Sequence, residues 1–422
     1  MQRLQRLIHQ YDGGIWIRVI GSALSTVTGF MIRPFLVLYL YEKLDGSVLL
    51  PMLVVGLSPL CGMVVSWFGG GISDRMGRKP VMVVSLLLQM LCMIGYALSS
   101  EVWQYAAVSI VTGAGSALFM PAANAQMTDM VPAQRRAEVF ALMHTGFNVG
   151  AAVGPLLGLL MFRWNPSVVF VIAACTFLIN ASLVLFKLPE TAPLLLARRK
   201  GEAKASPAAA GIKRHGGLRM LFTSERTLLL VTLLTMPIAF LYSLAETALP
   251  IHLGTHFAHP KNIFPAMMTF NGTMVIALQI WIARKTEAFR SYAVVGASYA
   301  FFAVVALGYG YSTTLVALFA AEFVFTIGEM INGPHMQKEI SLMAAEEKRG
   351  YYFAVFGASR LLGQGLGPIL GGLTLAWTNG EVLFTLLAVL LAAAGFAQFR
   401  VMRRVEQTRL GADAGSSSGL SV

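Results

Sequence analysis

The chain has 422 residues, of which 56% are hydrophobic and only 12% charged, with a mean hydropathy of +0.67. A soluble globular chain carries about 25% charged residues, so this composition argues against a soluble fold and for a polytopic membrane protein in which length counts spans. The net charge of +12 would point to nucleic acid in a soluble protein; here the basic residues fall between hydrophobic runs, where they read as topology, and no nucleic-acid partner is expected.

Taken in chain order, Arg3 and Arg6 precede an apolar stretch over 15–41 that is too long for the hydrophobic core of a signal peptide and reads as a first span. Further hydrophobic runs follow at 50–69, 80–98, 104–128, 138–161 and 167–187. After a long polar segment come 226–253, 263–283, 291–309, 313–335, 351–376 and 382–399. A span needs about 20 residues, and lipid leaves no alternative to the helix for satisfying the backbone. The expected fold is therefore all-α and integral to the membrane, with twelve transmembrane helices in two six-helix bundles.

The expected boundaries are an N-terminal bundle over 1–187, a cytoplasmic linker over 188–224, a C-terminal bundle over 225–404 and a disordered cytoplasmic tail over 405–422. The linker is rich in Ala, Pro, Gly and Lys, as mobile connections are. Loops alternate in charge. One set carries Arg75, Arg78 and Lys79, then Arg135 and Arg136, the basic linker, Arg284, Lys285 and Arg290, and Lys338, Lys348 and Arg349; the other holds only Lys43, Arg163 and Lys261. The positive-inside rule makes the first set cytoplasmic, and an even number of spans then puts both termini there.

A shift of 213 residues superposes the two halves without a gap: Gly115 falls on Gly328, Pro121 on Pro334, Arg136 on Arg349 and Phe140 on Phe353. Gly150, Gly154, Pro155 and Gly158 then fall on Gly363, Gly367, Pro368 and Gly371. Generic small-residue helix packing does not account for a register that runs on through a loop arginine and a phenylalanine. Two equivalent halves with a site between them are a transporter layout.

The ionisable residues inside spans are Arg33, Glu246, Glu322, Glu329 and Arg360; Arg18, nearer a helix end, has the length to snorkel. A mid-bilayer charge costs about 3 kcal/mol on insertion scales, so each needs a reason. Glu322 and Glu329 are seven apart, which sets them on one helix face two turns, about 10 Å, from each other. A buried carboxyl can take up and release a proton near neutral pH and, when ionised, hold an organic cation; competition between the two is the simplest antiport. The structural alternatives stay open: Arg33 and Arg360 as charge partners, Glu322 as a packing hydrogen-bonder, His144 and Asn148 as cavity-lining residues or interhelical bonders.

No phosphate-binding G-x4-G-K-[ST] string occurs, no nucleophile–base constellation points to an enzyme, and no cofactor is expected. His252, His256 and His259 have ligand-like spacing, but no carboxylate accompanies them in sequence, and no metal is expected. Cys61, Cys92 and Cys175 lie in apolar runs and read as buried hydrophobes.

The loop after the second run reads Gly70-Gly71-Ile72-Ser73-Asp74-Arg75-Met76-Gly77-Arg78-Lys79-Pro80. It resembles the G-x-x-x-D-R-x-G-R-K loop of the major facilitator superfamily. That resemblance covers nearly the whole chain and implies a gating role for Gly70, Asp74, Arg75, Gly77, Arg78 and Lys79, with Asp129 joining through Arg75 or Arg78. It also places the first helix of each three-helix group, where Arg33, Glu246, Glu322 and Glu329 fall, around a central cavity. The corresponding loop of the second half, Arg284 to Arg290, keeps charge and loses the pattern.

Gly150-x3-Gly154-Pro155-x2-Gly158 resembles the helix motif of proton-coupled drug exporters in that superfamily. The arginine usual in the fourth span is missing. Short segments, Leu244 to Leu253 and Ile327 to Met330, look like the acidic segments of LmrP-type multidrug/proton antiporters. The resemblance and the membrane carboxylates together imply a proton-coupled exporter of lipophilic cationic drugs, with small-molecule substrate, protons and lipid as partners; a monomer is expected because the fold needs no partner, and the layout suits a bacterial inner membrane. A transporter of a defined metabolite (a sugar, peptide or siderophore) and a lipid flippase are the alternatives.

Overall fold

The computed structural model describes residues 12–69, 72–132, 135–192, 225–344 and 349–418. Among these, twelve long helices follow one another: α1 Gly13–Lys43, α2 Leu49–Gly69, α3 Arg78–Leu98, α4 Val102–Met130, α5 Arg136–Trp164, α6 Pro166–Lys187, α7 Arg226–His256, α8 Pro260–Thr286, α9 Ser291–Tyr311, α10 Leu315–Met343, α11 Arg349–Trp377 and α12 Gly380–Ser418. A short helix, Ile72–Met76, lies between α2 and α3. Apolar runs drive the helices, and local chemistry sets their ends. Glu101 and Gln104 form a capping box at α4. Asn165 accepts from the Ser167 amide beside Pro166 at the start of α6, and Thr314 accepts from the Ala317 amide at α10.

Among the described residues, eleven helices are long and apolar enough to cross a membrane, against the twelve spans expected. The helix that falls short is α11. At 29 residues it has the length, but Arg349, Arg360, Gln364 and its glycines dilute its hydropathy. Large apolar side chains face outward along the helices, and Trp103, Trp164 and Trp377 stand exposed at helix ends, the place interfacial aromatics take in a bilayer.

The chain divides into two compact units, Met1–Ile212 with Ala258–Thr273, and Lys213–Phe257 with Met274–Val422. The first part of α8 thus groups with the first unit, whereas the sequence assigns it to the C-terminal bundle; there Thr269 Oγ1 donates to the Ala152 carbonyl at 3.2 Å. Within the first unit α1 packs along α5, α4 against α2 and α3, and α6 against α3 and α1. Within the second, α7 packs along α11, α9 against α10, and α12 against α9 and α7. The 213-residue shift carries the pairs α1–α5, α3–α6, α3–α4 and α1–α6 onto α7–α11, α9–α12, α9–α10 and α7–α12, so the sequence repeat is a packing repeat.

The first unit's core centres on Met31, Leu40, Leu86 and an aromatic group of Tyr39, Tyr96, Tyr105 and Phe170. Arg18 does not snorkel. It is 1% exposed and lies over the Phe119 ring of α4, 5.5 Å from its centroid, because it projects toward α4 rather than along its own helix end.

Two expectations about connections change. Residues 193–224 of the linker lie outside the described residues, while its first residues are fixed: Gln126 Nε2 on α4 donates to the Pro189 carbonyl at 3.0 Å. The tail expected to be disordered from residue 405 is helical as far as Ser418. Arg409 on that extension reaches the buried Glu339 of α10, Nη1 to Oε2 3.5 Å.

Candidate functional site

In the second unit three helices bring acids and phenols together. Tyr309 lies in the last turn of α9 and Glu322 two turns into α10, and the short connection between the two helices sets them face to face. The Tyr309 hydroxyl donates to Glu322 Oε2 at 2.6 Å, and Glu322 is 5% exposed. Glu329, two turns further along α10, is half-buried, and the Tyr242 phenol of α7 lies beside it with Glu322 also near. Glu246, half-buried, is one turn beyond Tyr242 on α7, at the spacing that sets two side chains on one helix face.

Aromatic rings close the space between these groups. Tyr242 packs edge-on to Phe325, centroids 5.0 Å apart, and to Phe302 at 6.2 Å. Tyr309 packs on Phe325 at 6.3 Å and on Phe384 at 6.1 Å. Polar side chains nearby are satisfied locally: Asn332 Nδ2 donates to Ser298 Oγ at 2.7 Å and Thr326 Oγ1 to the Glu322 carbonyl at 2.8 Å. Two ionised carboxylates about 10 Å apart repel by about 2 kcal/mol at an effective dielectric of 20, so the charge state of one acid is felt by the other.

The structure thus joins Glu322 and Glu329 through tyrosines that sequence reading passes over, since a tyrosine in an apolar run reads as packing. Arg360 is exposed on α11. Arg33, exposed on α1, and Asn148, half-buried on α5, belong to the first unit. The side chain of His144 lies outside the described residues. Among the described residues no group of three or more His, Cys, Asp or Glu could hold a metal. Here the fold adds a carboxylate that the sequence does not place: Glu381, at the start of α12, lies 3.5 Å from His256 Nε2, while His252 Nε2 meets the Gly310 carbonyl at 3.0 Å.

The loop before α3 is held from three sides. Gly77 carries a φ of +101°, a conformation that favours glycine, and turns the chain into α3. Arg78 pairs with Asp129 of α4, as one of the two expected alternatives has it, and its Nη1 also donates to the Ala125 carbonyl at 2.9 Å. Glu190, just past α6, caps α3: its Oε1 accepts from the Arg78 amide at 3.0 Å and its Oε2 from the Lys79 amide at 3.1 Å. Its Oε1 also takes the amides of Thr191 and Ala192, both at 2.8 Å. Arg75 is exposed. Gly70 and the Asp74 side chain lie outside the described residues.

On α5 the glycines face α1. A Cβ on Gly154 would stand 2.7 Å from Phe30 Cβ and 2.8 Å from the Val27 carbonyl oxygen, and Gly150 and Gly158 meet the α1 backbone as closely. Pro155 is buried within α5. The repeat on α11 does the same against α7, where a Cβ on Gly367 would come 3.1 Å from Ser243 Cβ. Small residues here let two helices approach along their length.

Comparison with known proteins agrees with this architecture. The Major Facilitator Superfamily matches residues 19–334 and, overlapping, 231–419. The uncharacterized MFS-type transporter YhjO of Bacillus subtilis (strain 168) is 31% identical over 94% of this chain and 95% of its own. The Na(+), Li(+), K(+)/H(+) antiporter of Planococcus maritimus is 25% identical over 92% and 96%, and the multidrug resistance protein MdtH of Cronobacter sakazakii (strain ATCC BAA-894) is 23% identical over 85% and 86%. Among solved structures, the D-xylose-proton symporter superposes with a TM-score of 0.71 at 14% identity, covering 92% of this chain and 97% of its own. A POT family transporter in complex with 5-aminolevulinic acid gives 0.74 at 13%, covering 93% and 96%. With its twelve long helices, its repeated packing and these matches, the chain is a multi-pass membrane protein that belongs to the Major Facilitator Superfamily.

Proposed function

We propose that the protein is a proton-coupled antiporter that exports lipophilic cationic drugs by alternating access, exchanging protons for substrate at membrane carboxylates. The observation that carries this reading is the acid–phenol cluster of Glu322, Tyr309, Glu329 and Tyr242 in helices that cross the bilayer, with Glu246 one turn away. A carboxylate in such a setting is costly and earns its place by binding something positive. Aromatic faces beside it suit a desolvated organic cation. Exchange of one proton inward for one monovalent cation outward moves no net charge and is driven by the pH gradient; each additional proton entering per cycle adds about 2.3 kcal/mol per 100 mV of potential. The pairing of Arg78 with Asp129, and the Glu190 cap on α3, support a gating role for that loop.

The alternation of basic loops supports placing both termini in the cytoplasm, the bacterial origin of the relatives supports a bacterial inner membrane, and the monomer is the working unit. A second reading has the same acids handling inorganic cations; the relative named as a Na(+), Li(+), K(+)/H(+) antiporter favours it.

The test is transport in proteoliposomes with an imposed pH gradient. Ethidium should move against its gradient, and a protonophore should abolish the movement. Glu246→Gln and Glu329→Gln should each lower the rate at least tenfold. If both variants keep wild-type, protonophore-sensitive transport, the carboxylate mechanism is wrong.

A further inference from the structure

We infer that the acids of the second unit divide the work: Glu322 carries the coupling proton and is closed to the transported compound, and Tyr309 is its positioning residue. The inference rests on the proton-coupled reading above and goes further by assigning the proton to one carboxylate.

Three observations carry it. Glu322 is 5% exposed, so a drug-sized cation has almost no surface of it to touch; pockets for such ligands run to about 300–1,000 Å³. One of its oxygens already receives the Tyr309 hydroxyl at 2.6 Å, a bond that fixes the carboxyl group without any cargo. The Phe325 and Phe384 rings against Tyr309 bring no oxygen, and besides Tyr309 the titratable groups near Glu322 add the Tyr242 phenol and the Glu329 carboxyl. Hard metal cations gather about six oxygen ligands, whereas a proton needs one lone pair and no volume.

Glu329 shares a phenol partner, Tyr242, but differs in exposure, being half-buried; it is the acid of α10 that a larger cation can reach. The titratable groups facing Glu322 are Tyr309 from α9, Tyr242 from α7 and Glu329 on its own helix. Helix α11, also packed on α10, contributes the exposed Arg360. In the step itself the Glu322 carboxylate takes a proton from the medium on one side and returns it on the other. Tyr309 keeps its own proton and donates to the same oxygen throughout.

The experiment uses the full chain in proteoliposomes and separates two activities. One is uphill ethidium accumulation driven by a pH gradient; the other is ethidium–ethidium counterflow at equal pH, which needs no proton movement. Glu322→Gln should lose uphill accumulation at least tenfold while keeping counterflow, with KM within twofold of wild type. Glu329→Gln should raise the counterflow KM at least fivefold. Tyr309→Phe, which removes one hydroxyl and leaves the ring, should move the pH midpoint of uphill transport upward by about one unit, because the ionised acid loses a donor, with KM unchanged.

A Glu322→Gln variant that keeps uphill accumulation, or whose counterflow KM rises as that of Glu329→Gln does, overturns the inference. If Glu322→Gln loses both activities, Tyr309→Phe decides: an unmoved pH midpoint overturns it. Replacing the pH gradient by a Na⁺, Li⁺ or K⁺ gradient should drive nothing; accumulation that Glu322→Gln abolishes would reassign the site to a metal ion. Wild type with no pH-driven accumulation would defeat the parent reading instead.

Discussion

The close approach of α1 and α5 makes a quantitative prediction for Gly154→Ala. The added methyl would meet Phe30 Cβ at 2.7 Å and the Val27 carbonyl oxygen at 2.8 Å. Both are at the root of α1, so no side-chain rotation relieves the clash and the helices must separate by several tenths of an ångström. Overpacking of this kind costs about 1–3 kcal/mol, and for a bundle of about 200 residues each kcal/mol lowers the melting temperature by about 2–4 °C. Gly154→Ala should therefore melt about 2–12 °C below wild type.

Two controls calibrate it. Gly367→Ala meets Ser243 Cβ at 3.1 Å and its Oγ at 3.2 Å, a milder contact that should cost about 1 kcal/mol or less. Gly333 has nothing within 4 Å of its absent Cβ, so Gly333→Ala should be neutral or stabilising by about 0.5–1 kcal/mol through helix propensity. Thermal unfolding of the purified chain in detergent, followed by circular dichroism, gives the order Gly333→Ala, Gly367→Ala, Gly154→Ala from most to least stable. Gly154→Ala melting with wild type, or above Gly367→Ala, would refute the packing reading of the motif.

Two further predictions concern the loop before α3. A double-mutant cycle of Arg78→Gln and Asp129→Asn should give a coupling of about 1–2 kcal/mol in detergent stability, discounted from a fully buried pair because the Asp129 side chain is 30% exposed; additive effects would mean the pair contributes nothing. Glu190→Ala removes the cap of α3 and should cost about 1–2 kcal/mol, with faster hydrogen exchange at the amides of Arg78 and Lys79. Unchanged exchange there would show that other groups hold the helix start.

The helices were legible because lipid-crossing segments must be long and apolar, and all twelve runs became helices. Glu322 and Glu329 were legible for the opposite reason, as charges where charges are costly. Their partners were not. Tyr309 comes from the preceding helix and Tyr242 from one much earlier in the chain, and nothing local distinguishes either from the other tyrosines of apolar runs. Glu190 reads as a linker residue until folding returns it to the start of α3, and Glu381 reaches His256 only through the packing of α12 on α7. Arg18 and the tail depart from the sequence expectation for a shared reason: position along the chain suggests exposure, whereas Arg18 turns toward Phe119 and Arg409 finds Glu339. The repeat was the most informative sequence signal, because a register of Gly and Pro that runs through a loop fixes which helices must pack alike.

The central claim, that protons are exchanged for substrate at electrostatically coupled membrane carboxylates, is tested most directly by proton release. Ethidium is added to detergent-purified protein in unbuffered solution near neutral pH, and a pH indicator reports the medium. Exchange through coupled acids, in which cargo beside Glu329 favours the ionised form of Glu322, predicts a stoichiometric release of protons that saturates with ethidium, shrinks at high pH where the acids are already ionised, and is lost in Glu322→Gln. Saturable ethidium binding with no proton release at any pH would contradict it.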